Sequence, residues 1–143
     1  MKIAIGCDHA AYEAKEEIKQ YLLDKGFIID DKGCFSTESV NYPVYGEAVA
    51  NAVVNGEAQR GVLICGTGIG MSIVANKFPG IRAALCHNDF TAEASREHND
   101  ANIVAMGARV IGPGLAVKIV DTFLNTPFSN DERHIRRIAQ IEE

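Results

Sequence analysis

The sequence predicts an α/β fold, a mostly parallel sheet of five strands with helices on both faces, in one domain spanning residues 1–143. Three observations predict it. Short apolar runs alternate with segments whose apolar residues recur at helical spacing. The boundaries between them carry glycine, proline or an Asn, Asp or Ser cap. No repeat, low-complexity tract or linker divides the chain. This alternation builds parallel sheets, and ligands of such sheets bind beyond the carboxyl ends of the strands.

Residues 2–7 read as the first strand, and Asp8 is placed to cap a helix carrying Ala11, Ala14, Ile18, Tyr21 and Leu22 before Gly26 stops it. Residues 27–29 form a short second strand leading into Asp30-Asp31-Lys32-Gly33. The aperiodic polar stretch 36–41 is a loop. Pro43 opens a helix with Val49, Ala50, Val53 and Val54 that ends near Gly56. Residues 62–64 form the third strand, delivering the turn Cys65-Gly66-Thr67-Gly68-Ile69-Gly70. A short helix over 69–77 follows, ended by Phe78-Pro79-Gly80. Residues 82–86 are the fourth strand; Asn88 or Asp89 caps a helix through Arg96, and Asn99 is its expected left-handed stop. Residues 102–106 supply the fifth strand. Pro113 starts a helix bearing Leu115, Ala116, Ile119, Val120, Phe123 and Leu124. Ser129 and Glu132 have capping-box spacing ahead of a last helix with Ile135, Ile138, Ala139 and Ile141.

At 143 residues and 47% hydrophobic, the chain can bury about two-thirds of its unfolded surface around a core. A net charge of −5 argues against a general nucleic-acid binder, although Arg133, His134, Arg136 and Arg137 form a local basic cluster suited to a small anion. No apolar stretch approaches the roughly 18 residues of a membrane span, and the first residues run straight into glycine and charge. A cytosolic protein is expected, with no membrane partner. Cys7, Cys34, Cys65 and Cys86 lie far apart without a Cys-x-x-Cys pair, so neither a zinc knuckle nor a dithiol redox motif is signalled and reduced thiols are expected.

The turn from Cys65 to Gly70 is the stretch richest in chemistry. A dinucleotide fingerprint would put its third glycine where Met71 stands and would follow the first strand, and a Walker loop needs Lys and then Ser or Thr where Met71 and Ser72 stand. The alternatives left are a tight packing turn or an anion cradle of backbone N–H groups. Cys65 is either a small core side chain or a thiol facing a helix N-terminus, where the thiolate is stabilised and can serve as base or nucleophile. His98 is either a favourable cation at a helix end or a functional acid, and His9 beside the capping Asp8 carries the same ambiguity. These residues gain interest from the expectation that they gather at one edge of the sheet. Arg133 and Arg137, four apart on one helical face, suit one phosphate; a solvated basic turn is the plain alternative. No cluster has metal-ligand spacing, and no Gly-x-Ser-x-Gly elbow occurs.

Taken together, Gly6-Cys7-Asp8-His9, Cys65-Gly66-Thr67-Gly68-Ile69-Gly70, Ala75-Asn76-Lys77 with Gly80-Ile81-Arg82, Ser95-Arg96-Glu97-His98-Asn99-Asp100-Ala101-Asn102, and Arg133-His134 with Arg137 closely resemble the type B ribose-5-phosphate isomerase family, which also contains galactose-6-phosphate isomerase subunits. The resemblance covers essentially the whole chain. It implies a Rossmann-like three-layer sandwich and interconversion of D-ribose 5-phosphate and D-ribulose 5-phosphate without metal or organic cofactor. It implies Cys65 as the base between C2 and C1, Thr67 as an aid to proton movement between the sugar oxygens, and His98 as the acid that opens the ring. Asp8 and Asn99 would contact the sugar, Gly66, Thr67, Gly68, Ile69 and Gly70 would cradle the enediolate, and His9, Arg109, Arg133 and Arg137 would contact phosphate or substrate. Tyr42 is a further pocket-lining candidate.

The family's C-terminal arginines reach into a partner's site, so the resemblance also implies a homodimer with shared active sites, and a dimer of dimers stays open. Some relatives place a glutamate base at the position of Met71; Cys65 with Met71 puts this chain in the cysteine group. Two competing readings share these residues. One is an isomerase of six-carbon sugars such as allose 6-phosphate or galactose 6-phosphate; the other is a phosphosugar-binding module without turnover.

Overall fold

The computed structural model describes residues 1–143. Its strands are β1 (Lys2–Cys7), β2 (Ile28–Gly33), β3 (Arg60–Cys65), β4 (Ala83–Leu85) and β5 (Ile103–Gly107). They form one sheet in the order β2-β1-β3-β5-β4, and every pairing is parallel. The helices are α1 (Tyr12–Asp24), preceded by a 3-10 turn over His9–Ala11, α2 (Tyr42–Val54), α3 (Ile69–Ala75), α4 (Asp89–Asn99), α5 (Pro113–Asn125) and α6 (Glu132–Glu142). None is long and apolar enough to cross a membrane.

Strand alternation sends successive side chains to opposite faces. Ile3, Ile5, Val62, Ile64, Val104 and Met106 pack with Ile18 and Leu22 of α1 and with Ile119, Val120 and Phe123 of α5. Ala4, Leu63, Cys65, Ile103 and Ala105 pack with Val49 and Ala50 of α2 and Met71 and Ala75 of α3. The result is the expected three-layer sandwich, with Cys65 on the α2–α3 face. From β1 the chain turns through α1 to β2 on one side, then returns through α2 to β3 on the other. The sheet therefore reverses winding between β1 and β3, which opens a crevice at their carboxyl ends.

Several strand and helix ends shift by one to three residues from the sequence reading, and four boundaries differ for a reason visible in the structure. Asp8 caps the 3-10 turn rather than α1 directly, its carboxylate accepting from Ala11 N–H at 3.2 Å. Strand β2 runs on to Gly33, because Asp30, Asp31 and Gly33 pair with Ala4, Ile5 and Gly6 of β1 whatever their side chains, with Lys32 at a register shift between them. The left-handed residue ending α4 is Asp100, φ 45°, one position beyond Asn99. The cap of α6 is Asp131, which accepts from Arg133 N–H at 2.8 Å, whereas Ser129 Oγ accepts from Asp131 N–H and pairs with His134.

Candidate active site

The crevice between β1 and β3 is a cleft of about 540 Å³ lined by Asp8, His9, Tyr42, Cys65, Gly66, Thr67, Ile69, Gly70, Ile73 and Arg109. The strand register explains the gathering: Cys7 pairs with Ile64 and Cys65 with Gly107, so residues 8–9, 66–70 and 108–109 leave the sheet side by side. Arg109 N–H donates to Gly66 O at 3.0 Å and Ala108 N–H to Cys65 O at 2.8 Å, joining the turns after β5 and β3.

The glycine turn is built around the thiol. Gly68 N–H donates to Cys65 Sγ at 3.1 Å, so the sulfur is held by the residue that caps the N-terminal end of α3. Gly68 has φ 81°, and a Cβ there would lie 2.7 Å from the backbone carbonyl carbon of Met106, so both conformation and space demand glycine. At Gly70 a Cβ would lie 2.6 Å from the Tyr42 ring, which packs over the turn. The first N–H taken up within α3 is that of Ser72, donated to Gly68 O; those of Gly70 and Met71 before it have no partner within the helix. Thr67 Oγ1 accepts from Ile69 N–H at 3.3 Å at the exposed lip. Of the other thiols, burial raises Cys7, with Cys34 adding to it, and burial raises Cys86. Cys65 is the thiol that lines a cleft.

His9 is set by the loop before α2. Val40 N–H donates to His9 Nδ1 at 3.1 Å, so the proton of the neutral ring sits on Nε2, which is left to act as a donor. Beneath that loop, buried Lys15 donates to both Asp31 oxygens at 2.9 Å and to Cys34 O at 2.6 Å.

Four expected site residues lie elsewhere in the chain. His98 and Asn99 end α4, next to Arg82 and Asn102 where β4 and β5 begin, at the opposite edge of the sheet from Cys65. The sequence expectation that they share its edge is corrected. A crossover helix runs antiparallel to the strands, so its last residues lie where strands start; β5 alone separates the edges by roughly 13 Å at about 3.3 Å per residue. Arg133 and Arg137 stand on exposed α6 beside them: His134 lies against His98 with ring centroids 4.6 Å apart and planes tilted by 41°, and Ser129 N–H donates to Glu97 O at 3.2 Å. Arg133 forks onto Asp131 at 3.2 Å through both Nε and Nη2, and these bonds hold the Asp131 carboxyl down to about 2. Asp131 thus supplies an anion that offsets the basic first turn. The chain therefore carries two complementary clusters, a thiol with an N–H cradle at one edge and a histidine with arginines at the other.

Residues 3–141 match the ribose/galactose isomerase family. The chain belongs to that family. It is 48% identical over 140 residues to ribose-5-phosphate isomerase B of Escherichia coli, covering 98% of this chain and 93% of the relative. It is 53% identical over 143 residues to a Listeria innocua protein named ribose-5-P isomerase B, covering 100% and 96%. Among solved structures, ribose-5-phosphate isomerase B of Clostridium thermocellum superposes with a TM-score of 0.97 at 53% identity, covering 99% of this chain and 95% of that one. Of the residues named from the sequence, the structure brings Asp8, His9, Tyr42, Thr67, Arg109 and the glycine turn together with Cys65 around one cleft. Ile73, which the sequence reading does not name, also lines it; its one available signal is its place one helical turn after Ile69.

Proposed function

We propose that this family member interconverts D-ribose 5-phosphate and D-ribulose 5-phosphate as an aldose–ketose isomerase. The observation that carries the reading is Cys65 Sγ, held by Gly68 N–H on the floor of a cleft at the winding reversal of the sheet. In this scheme His98 protonates the ring oxygen as the furanose opens. The Cys65 thiolate takes the C2 proton, and the charge moves to the C1 oxygen, where backbone N–H groups of the turn from Gly66 to Gly70 meet it. Thr67 assists the shift of the hydroxyl proton between the two oxygens, and Cys65 returns its proton to C1. Asp8 and Asn99 contact the sugar. His9 Nε2–H, Arg109, Arg133 and Arg137 hold the phosphate, whose binding orients the reacting carbons.

The separation of the two clusters supports a homodimer in which a second copy brings His98, Asn99, Arg133 and Arg137 to the Cys65 cleft. Two uncovered apolar surfaces fit this. Helix α6 buries no residue and exposes Ile135 and Ile141, while Ile69 and Ile73 are exposed in the cleft and Leu85 and Phe90 at the end of β4 and the start of α4. Such an enzyme would act in the cytosol, on free phosphosugars.

Incubating ribose 5-phosphate with the chelator-treated protein in heavy water tests the reading. Ribulose 5-phosphate carrying deuterium at C1 is the expected product, and no turnover by folded protein sinks the proposal. A higher kcat/KM on allose 6-phosphate would move the substrate to six carbons. Binding without exchange would leave a phosphosugar-binding module.

A further inference from the structure

Helix α4 ends in a corner that backbone preference alone does not hold. The final carbonyls of a helix lack intrahelical partners, and Asp100 sits at φ 45°, a left-handed conformation uncommon for a residue with a side chain. Two arginines close the corner from opposite sides. Buried Arg96, stacked on Phe123, donates through Nη1 to Asp100 Oδ1 at 2.8 Å and to Ala101 O. From the start of β4, Arg82 donates through Nε to Asn99 O at 2.8 Å and through Nη2 to Asp100 O at 2.9 Å. Its remaining nitrogen, Nη1, is bonded to the Glu142 carboxylate at the far end of α6.

The backbone of Arg82 is fixed as firmly as its side chain. Its N–H donates to Asn102 Oδ1 at 2.9 Å, its carbonyl accepts from Asn102 N–H at 3.0 Å, and Asn102 Nδ2 donates to Gly80 O at 2.8 Å. One planar guanidinium thus indexes two elements against the sheet: the helix end carrying His98 and Asn99, and the helix carrying Arg133 and Arg137. Helix α6 has no buried residue, so this tie at its end and the Ser129–Glu97 bond before its start do much to set its place.

We infer that Arg82 is a positioning residue for ring opening, holding the His98–Asn99 corner in register with the phosphate-gripping face of α6. The inference rests on the reading of His98 as the ring-opening acid. A lysine at this position keeps the charge and loses the fork that spans three acceptors.

Ribulose 5-phosphate has no furanose to open, so it separates ring opening from carbon chemistry. In Arg82→Lys at saturating sugar, conversion of ribose 5-phosphate falls roughly tenfold to a hundredfold, as expected when a reacting group is displaced by about an ångström. Deuterium exchange at C1 of ribulose 5-phosphate stays within about twofold of wild type, because that sugar needs no ring-opening acid and no bond of Arg82 reaches Cys65 or the turn that holds it. Glu142→Gln, which cuts only the tie to α6, raises KM for both sugars and leaves the ratio of conversion to exchange unchanged. Parallel loss of conversion and exchange in Arg82→Lys, or unchanged conversion, overturns the inference. His98→Asn is the control: if it opens the ring at the wild-type rate, the reading of His98 fails. If it does not while Arg82→Lys does, only the role of Arg82 is lost.

Discussion

Cys65 is distinguished from its three fellow thiols by what it faces, a cleft and a helix N-terminus instead of closed core. Replacing it with serine keeps the size and the hydrogen bond from Gly68 while removing an acidity suited to carbon deprotonation. Turnover is expected to fall by about a hundredfold or more, as for loss of a general base, with sugar-phosphate binding retained; calorimetric titration beside kinetics checks both. Unlike Arg82→Lys, this change also abolishes exchange at C1. Lys15 makes the opposite case, a charge that acts through structure. Burial works against its ammonium and against the Asp31 carboxylate, yet their hydrogen bonds raise Lys15 and lower Asp31 relative to their ordinary values. Lys15→Met leaves Asp31 with Lys19 as its only cation beside the Gly33 N–H, and should cost about 3 kcal/mol near neutrality, measured by denaturant unfolding. A lowered carboxyl stabilises above its unfolded value and loses that as pH falls, while a raised ammonium stabilises below its unfolded value and loses that as pH rises. The deficit of the variant should therefore persist between about pH 4 and pH 10 and shrink outside that window. The place of Cys65 was legible in the sequence, because an apolar run ending on a thiol before alternating glycines puts that thiol at a strand-to-helix turn; between core side chain and base the residues alone left the choice open. Lys15, on the apolar stripe of Ala11, Ile18 and Leu22, gave no sign of its partner, because Asp31 reaches it only through the pairing of β2 with β1.

The turn after β3 and the helices around it were readable wherever local chemistry decides the conformation. Glycine stops, prolines at helix starts and the Asn88 cap, which accepts from Thr91 N–H at 2.7 Å, all act within a few residues. Readings failed where a distant partner decides: β2 is prolonged by β1, and the corner after α4 falls at Asp100 because Arg82 and Arg96 hold it there. The glycines of the turn can be ranked on the same physical footing. In Gly68→Ala the left-handed backbone alone costs about 1–2 kcal/mol, and the new Cβ meets the immovable strand end at Met106. Thermal melts should show a lowered Tm, and kinetics a loss of turnover, since the N–H that holds Cys65 belongs to this residue. Gly70→Ala meets the outer atoms of the exposed Tyr42 ring, which can swing away. Its Tm should move less than that of Gly68→Ala, with the change falling on KM because the ring leaves the cleft wall.

Across the whole molecule, the sheet order is the feature the sequence could not supply. Alternating strands and helices fix parallel pairing, but β2-β1-β3-β5-β4 depends on which faces the crossovers cover, and that order puts the reversal of winding beside Cys65. The antiparallel run of α4 was available from the same pattern, and it places His98 at the wrong edge to serve the thiol of its own chain. That geometry makes a sharp forecast for mixed assemblies. In a dimer with shared sites, a Cys65→Ser chain paired with a His98→Asn chain holds one doubly damaged site and one site with both wild-type residues. Random redistribution makes half the dimers mixed, so a mixture of two nearly inactive proteins should recover about a quarter of wild-type activity. If each site were built within one chain, every site would keep one defect and the mixture would stay as inactive as its components. Native mass spectrometry of differently tagged chains establishes that mixed dimers are present, so activity that stays at baseline in their presence rejects shared sites.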